Sequence, residues 1–220
     1  MGLQVIITGA TGMVGEGVMH ECLQHPAISK VLLLCRKDPH VQHPKLEWRI
    51  QENFHDLGTL RQKIEFYDAC FFCLGVSSIG LNEKDYSKQT YDLTINVAKL
   101  LAEKNPDMTF CYVSGSGTDS SETGRSMWAR VKGKTENDLI KLFPKAYMFR
   151  PGLMKPTPGL KNTLKSYKYI MWMYGGLKRL FPNFVCTLAE VGQAMINAAL
   201  FGYNKKVLEV KDIKILAAKK

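Results

Sequence analysis

A glycine-rich turn between an apolar run and a helical pattern constrains this chain more than any other feature. The apolar run covers residues 3–7, the turn covers 8–15, and apolar residues then recur three and four positions apart as far as His25, before Pro26. A strand that enters a helix through such a turn leaves the first N–H groups of the helix unpaired, and they bind an anion. The sequence therefore predicts a pyrophosphate site at the start of this helix.

Three glycines in the turn have separate predicted roles. Gly9 permits the tight turn, Gly12 lets the backbone approach a phosphate, and Gly15 lets the helix and strand pack closely. The spacing is G-x-x-G-x-x-G, and its place between a strand and a helix favours a dinucleotide site over a loop whose glycines serve packing alone. The predicted contacts to the ligand in this turn are Gly9, Ala10, Thr11, Gly12, Met13, Val14 and Gly15.

Strands and helices alternate along the rest of the chain. Continuous apolar runs at 31–35 and 69–74 are typical of strands buried on both faces. Further strands are predicted at 46–50, 109–113, 146–149 and 206–210, and helices at 57–64, 85–105, 128–142 and 188–201. This order predicts an α/β fold with a Rossmann-type, doubly wound parallel sheet. Residues 1–220 are interpreted as one NAD(P)-binding domain, in which 153–200 form a small lid or substrate lobe.

The residues after the second strand indicate which dinucleotide is preferred. An NAD site usually has an acidic residue there, which accepts hydrogen bonds from the ribose hydroxyls. Here Arg36 and Lys37 follow Cys35. A guanidinium can pair with the 2′-phosphate of NADP, so the sequence favours NADP over NAD. The net charge of +10 also favours anionic ligands.

Composition indicates a globular protein and argues against several other classes of protein. With 45% apolar and 23% charged residues the chain is expected to be globular, and no window nears the roughly 18 apolar residues of a membrane span. Its start does not resemble a signal peptide, and its basic residues are scattered, so neither membrane insertion nor nucleic-acid binding is expected. Six cysteines inside apolar runs favour a reduced, cytoplasmic protein. Cys70 and Cys73 would face opposite sides of a strand, so no metal is expected.

Five short motifs then occur in the order of one superfamily. They are residues 8–15, Cys73-Leu74-Gly75, residues 112–117, residues 131–134 and Arg150-Pro151-Gly152. On these motifs the chain resembles the short-chain dehydrogenase/reductase superfamily, and within it the small atypical, NAD-dependent-epimerase-like branch that includes the Tat-interacting-protein oxidoreductase group. The resemblance implies further cofactor contacts at Asp56, Leu57, Leu74, Gly75, Val76, Lys132, Pro151, Gly152 and Leu153.

The resemblance also implies catalytic positions. In that superfamily a Tyr and a Lys lie four apart on one helical face, and a Ser at the preceding strand end orients the substrate oxygen. The Lys is Lys132, and either Ser114 or Ser116 fits the Ser position. Trp128 stands where the proton-donating Tyr is expected. An indole N–H donates a hydrogen bond but does not titrate usefully, whereas general acid–base help contributes about 10²–10⁴-fold.

Two functions therefore remain open at this stage. One is an NADP-dependent oxidoreductase or epimerase of an unidentified small molecule, with an altered proton donor. The other is a catalytically silent NADP-binding redox sensor or scaffold. Tyr86, Tyr91 and Tyr112 lack any motif that would make them donors. A second Tyr-x-x-x-Lys at 174–178 comes too late in the chain, and its two glycines weaken a helix.

Residues 165–184 form a segment in which aromatic and basic residues are interleaved. It is interpreted as a lid over a substrate pocket or as an interface between copies of the chain in a homo-oligomer. A membrane surface or single-stranded nucleic acid are the remaining alternatives.

Overall fold

The chain forms a parallel seven-stranded sheet flanked by helices. In the computed structural model the described residues are 2–61, 63–162 and 174–219. The sheet strands are β1 (Leu3–Thr8), β2 (Ile28–Cys35), β3 (Leu46–Ile50), β4 (Ala69–Phe72), β5 (Thr109–Val113), β6 (Lys145–Arg150) and β9 (Val207–Glu209). Their order is β3-β2-β1-β4-β5-β6-β9, and each neighbouring pair is parallel. The predicted doubly wound fold is confirmed.

Two of the predicted helices differ from those in the structure. The helices are α1 (Met13–Gln24), α2 (Glu83–Ser87), α3 (Leu93–Lys104), α4 (Met127–Leu142), α5 (Tyr174–Leu180), α6 (Leu188–Phe201) and α7 (Val210–Ala217). The single helix predicted at 85–105 is interrupted by a π-helical turn at Lys88–Asp92. The helix predicted at 57–64 shrinks to a 3₁₀ turn at Gly58–Leu60, since Leu57, Leu60 and Ile64 enter the core without a full helical turn.

The alternation of side chains along each strand builds two apolar layers. On β1, Val5 and Ile7 face the layer that contains α1, α6 and α7, while Ile6 faces the layer that contains α3 and α4. All three side chains are fully buried. This burial on both faces explains why the central strands read as continuous apolar runs.

The strand order reverses at β1. Its neighbours are β2 and β4, and Thr8 at its carboxyl end lies opposite Leu34 on one side and Phe72 on the other. Open α/β sheets bind ligands in the crevice outside the carboxyl ends of the strands at such a reversal. The glycine turn directly follows Thr8, so the fold places it in that crevice.

A small lobe follows β6. Its described part holds a two-stranded sheet of β7 (Leu153–Lys155) and β8 (Val185–Thr187) together with α5. Neither three-residue strand was predicted, because so short a segment carries no periodic signal. Much of the aromatic segment, including Tyr167, Tyr169 and Trp172, lies outside the described residues. Its predicted role as a lid or homo-oligomer interface stays a prediction.

Two further sequence expectations need correction. The pair at 174–178 does lie on a helix despite its glycines, because the Tyr174 ring is buried and its hydroxyl donates to the Cys186 carbonyl at 3.4 Å. After β9 the chain continues as α7, which the sequence does not predict.

Within the described ranges no helix has the length and apolarity needed to cross a membrane. The same ranges contain no group of three or more His, Cys, Asp or Glu side chains that could hold a metal ion.

Candidate functional site: a nucleotide cradle and a lysine-bearing helix

The glycine turn lies directly on the end of β4. Gly9 adopts a positive φ of 71°, and its carbonyl accepts from the Gly12 N–H at 2.9 Å. A Cβ at Gly9 would lie 2.7 Å from backbone atoms of Cys73 and Leu74. The buried Thr8 hydroxyl accepts from the Leu74 N–H at 3.2 Å. Leu74 therefore lies beside the turn.

The start of α1 is held against the same turn. A Cβ at Gly15 would lie 2.2 Å from the Gly9 carbonyl oxygen, so only glycine allows this approach. Gly12 is the N-cap residue and has no side chain with which to cap the helix. Thr11 and Gly12 are exposed, so the first N–H groups of α1 face an open cradle.

Two exposed cations follow β2 next to the cradle. Arg36 and Lys37 come directly after Cys35, and neither side chain forms a hydrogen bond or ion pair with any described residue. Asp38 is already engaged, because its carboxylate accepts from the His40 N–H at 2.7 Å. Both cations are thus free to meet an anionic ligand.

The loop that carries Asp56 and Leu57 is tied to the end of β2. The buried Gln51 amide donates to the carbonyl oxygens of Asn53 and Asp56, both at 2.5 Å, and its own N–H donates to the Cys35 carbonyl at 2.8 Å. Leu57 is buried and Asp56 is exposed. Sequence reasoning missed Gln51, because no motif marks a side chain whose role is to hold a loop.

The second half of the site forms where β5 and β6 end. Lys132, on α4, donates from Nζ to the Ser114 carbonyl at 2.5 Å. Burial lowers the pKa of Lys132 to about 8, and the nearby Glu136 carboxylate opposes that shift. The Ser116 N–H donates to the Pro151 carbonyl at 2.9 Å. The structure therefore brings Lys132, both candidate serines and Pro151 together, in agreement with the motif order.

The two candidate serines differ in their surroundings. The Ser114 hydroxyl is buried, 2.5 Å from Oε1 of Glu136 and 3.1 Å from the Phe149 carbonyl. The Ser116 side chain is partly exposed, and its hydroxyl has no hydrogen-bond partner in the described part of the chain. Only Ser116 therefore has a hydroxyl available to a ligand.

Trp128 lies one helical turn before Lys132 and is partly exposed. The far edge of its six-membered ring is 3.6 Å from the position that a Cβ at Gly117 would take. The indole therefore lies against the turn that carries Ser116. Among the described residues, no acceptor for its N–H is found.

The three tyrosines considered as substitute proton donors are committed elsewhere. Tyr112 is buried, and its burial strongly raises its pKa. Tyr86 is also buried, and its pKa is raised for the same reason. The Tyr91 hydroxyl donates to Asp138 at 2.8 Å, which raises its pKa to about 12. None of the three offers a readily titrating hydroxyl at this edge of the sheet.

A carboxylate that sequence reasoning missed joins the lobe to the cradle. Glu16, in the first turn of α1, is buried and accepts from the N–H groups of Lys161 at 2.8 Å and Asn162 at 2.7 Å. An acidic residue at this position is ordinarily attributed to the helix dipole. Here it fixes the chain after β7 beside the glycine turn.

The crevice at the strand reversal, the glycine turn and the parallel seven-stranded sheet define a protein of the Rossmann fold class. Residues 5–126 match the model of the NAD dependent epimerase/dehydratase family, and the chain belongs to this family. The resemblance found in the sequence is confirmed.

Curated relatives resemble this chain in sequence, and a solved structure resembles it in fold. The chain is 25% identical to Protein FMP52, mitochondrial, of Candida albicans over 96% of this chain and 92% of the relative. It is 27% identical to Protein HTATIP2 of Rattus norvegicus over 68% and 62% of the two chains. The ADP-L-glycero-D-manno-heptose-6-epimerase of Helicobacter pylori shares its fold, with a TM-score of 0.69, 17% identity and coverage of 98% of this chain and 81% of the epimerase chain.

The relatives also correct one prediction. Protein FMP52 of Candida albicans is named as mitochondrial, and so are further fungal relatives that carry the same name. The cytoplasmic location inferred from the reduced cysteines is therefore wrong. Free cysteines indicate a reducing compartment without distinguishing one such compartment from another.

Proposed function

We propose that this protein is an NADP-dependent oxidoreductase or epimerase of a small-molecule substrate, in which Lys132 and Ser116 act beside Trp128. The observation that carries the proposal is the convergence of a half-buried ammonium and a free hydroxyl at the ends of β5 and β6, at the same edge of the sheet as the cradle. A reactive group and a nucleotide cradle at one sheet edge are what dinucleotide chemistry requires.

The residues of the cradle fit a dinucleotide. The turn at 9–15 would hold the pyrophosphate through backbone N–H groups, since the N-cap residue Gly12 is exposed and has no side chain that would keep a phosphate away from them. Arg36 and Lys37 would bind a 2′-phosphate, since both are exposed and without an internal partner in the described residues. Asp56–Leu57, Leu74–Val76 and Pro151–Leu153 would line the rest. When bound, the nicotinamide supplies a site that gives or takes a hydride.

The protein's own groups would divide the remaining work. Ser116 would donate a hydrogen bond to the substrate oxygen and orient it. Lys132 would place a positive charge near the developing negative charge on that oxygen and near the cofactor ribose. Trp128 would shield the site from water and donate an N–H bond, but it cannot pass a proton. Turnover is therefore expected to be slower than with a tyrosine at 128.

Hydride transfer tests the proposal. A panel of small aldehydes and ketones is incubated with NADPH, and the loss of reduced-nicotinamide absorbance is followed. We expect turnover with at least one substrate and its loss in Lys132→Ala, because general catalysis of this kind contributes about 10²–10⁴-fold. Lys141→Ala is the matched control, since Lys141 lies on the same helix but pairs with Asp138 at the surface.

A second candidate function is a silent NADP-binding sensor or scaffold, and Trp128 is the observation that favours it. Both candidates predict cofactor binding, but only the enzyme predicts hydride transfer. A flat substrate panel together with activity gained in Trp128→Tyr would favour the sensor. The names of the fungal relatives support a mitochondrial location for either function, which fractionation of cells that express a tagged chain would test.

A further inference from the structure

A cluster of charged and hydroxyl side chains, buried at its centre and exposed at Ser120 and Glu209, surrounds Ser114, whose carbonyl accepts from Lys132. It consists of one carboxylate on α4, one guanidinium on β6, two serines and a second carboxylate on β9, and its members are Glu136, Arg150, Ser114, Ser120 and Glu209. The proposed chemistry uses none of these side chains. Glu136 is fully buried, and Arg150 is 9% exposed.

We propose that Glu136 is a positioning residue of this site: it holds the Ser114 hydroxyl and the Arg150 guanidinium, so that the Ser114 carbonyl faces Lys132 and Ser116 alone serves the substrate. The proposal rests on the catalytic roles proposed above for Lys132 and Ser116. It adds a residue that the sequence alone would assign to a solvated helix face.

The hydrogen bonds around Glu136 show that its carboxylate occupies the Ser114 hydroxyl and pairs with Arg150. Oε1 accepts from the Ser114 hydroxyl at 2.5 Å and from Nε of Arg150 at 3.0 Å. Oε2 accepts from the same Nε at 3.2 Å and from Nη2 of Arg150. A buried carboxylate needs such partners to remain charged. Since a hydroxyl has one proton to donate, the Ser114 proton goes to this carboxylate and is not available to a substrate.

The position of Glu136 on α4 places it next to Lys132, and both side chains bind Ser114. It lies four residues after Lys132, on the same helical face. The Ser114 residue that it binds is also the residue whose carbonyl accepts from Lys132. Glu136 and Lys132 therefore hold Ser114 from two sides, one through its hydroxyl and the other through its carbonyl.

Arg150 fixes this arrangement to the rest of the sheet edge. Its Nη2 donates to the Ser120 hydroxyl at 2.5 Å, and its Nη1 lies 3.4 Å from the Glu209 carboxylate on β9. The charged and titratable groups of the surroundings are thus Glu136 on α4, Arg150 on β6, Glu209 on β9 and the buried Tyr112 on β5. Of these, Glu136 is the one whose charge acts directly on the Lys132 ammonium and favours it.

A titration of Lys132 tests the positioning role without any need for turnover. Protein labelled with ¹³C at the lysine Cε carbons is followed by NMR from pH 6 to pH 11, and the Lys132 signal is identified by its loss in Lys132→Met. In Glu136→Gln we expect the midpoint of Lys132 to fall by at least about half a pH unit, because a nearby negative charge is lost. Ser120→Ala is the matched control, since it removes a bond to Arg150 only, and its midpoint should not move.

Two further variants keep the test decisive. If Glu136→Gln fails to fold because Arg150 is left unpaired, the double variant Glu136→Gln/Arg150→Met removes both buried charges. A smaller fall in the same direction is then expected, because losing the positive charge of Arg150 partly offsets losing the negative charge of Glu136. Glu136→Asp keeps the charge and should titrate close to the wild type. An unchanged Lys132 midpoint in the Gln variants, or an equal fall in Glu136→Asp, would overturn the positioning role.

The outcomes separate this inference from the proposed function. A lowered midpoint in a protein that turns over no carbonyl substrate would leave the positioning role intact and count against the enzyme. Turnover of a carbonyl substrate together with an unchanged Lys132 midpoint in Glu136→Gln would support the enzyme and refute the positioning role.

Discussion

Gly15→Ala and Gly12→Ala should damage the protein in different ways. At Gly15 an added Cβ would lie 2.2 Å from the Gly9 carbonyl oxygen and 2.5 Å from its carbonyl carbon, whereas ordinary contact begins near 3.4 Å. Because these atoms are backbone, α1 would have to move away from β1 by about 1 Å. Overpacking of this kind costs about 1–3 kcal/mol, and a clash with backbone atoms lies near the upper end of that range. After the helical preference of alanine offsets up to about 1 kcal/mol, a net loss of about 1–2 kcal/mol remains.

Gly12→Ala is the matched control for folding. Its Cβ would meet only the Gly9 carbonyl oxygen, at 3.4 Å, so the free energy of unfolding should change by less than about 0.5 kcal/mol. The new methyl group would, however, stand at the N-terminus of α1, where a phosphate must approach the backbone. Loss of one or two charge-assisted hydrogen bonds should raise the Kd for NADPH by about 10–100-fold.

Two assays read the two effects separately. Thermal unfolding should show a Tm lower by about 3–6 °C for Gly15→Ala and little change for Gly12→Ala. Isothermal titration with NADPH should show weakened binding in both variants. If Gly15→Ala kept the wild-type Tm, the close packing of turn and helix would be refuted. If Gly12→Ala kept the wild-type Kd, the cradle would not be the phosphate site.

Three further predictions concern the other end of the cradle and the lysine-bearing helix. Arg36→Ala should raise the Kd for NADPH about tenfold or more and leave NADH binding unchanged in titration calorimetry, and equal weakening would refute the 2′-phosphate role. Ser116→Ala should lower kcat about tenfold or more at an unchanged Tm, whereas Ser114→Ala should lower the Tm as well, because its buried bond to Glu136 is lost. The folded pKa of Lys132, about 8, lies below its ordinary value of 10.5, so its contribution to stability rises with pH between these values. Urea unfolding of Lys132→Met should lack that rise, and an identical pH dependence in wild type and variant would contradict it.

The geometry of the glycine turn could be predicted from the sequence because its determinants are local. A side chain at Gly9 or Gly15 would clash with nearby backbone, and both positions belong to a run of glycines spaced three apart. Arg36 directly follows β2, whose continuous apolar run marks it as a buried strand. The doubly wound parallel sheet likewise follows from the alternation of strands and helices. These features involve residues close together in the chain, so a pattern can carry them.

The supporting contacts could not be predicted because they join distant residues. In the sequence, Glu136 has the pattern of an exposed charge on a helix, and only the fold brings Arg150 of β6 against it. Glu16 likewise has the pattern of a residue that interacts with the helix dipole, and only the fold brings the N–H groups of residues 161 and 162 to its carboxylate. Ser114 and Ser116 are equivalent in sequence, and only the neighbouring Glu136 distinguishes them. Long-range pairing of this kind leaves no local periodicity.

The most direct test of the account is titration calorimetry of the wild-type protein with NADPH and, separately, with NADH. The account predicts one binding site per chain and a Kd for NADPH lower than that for NADH by about tenfold or more, because Arg36 and Lys37 are free to bind the 2′-phosphate. No measurable binding of either dinucleotide, or tighter binding of NADH, would contradict it.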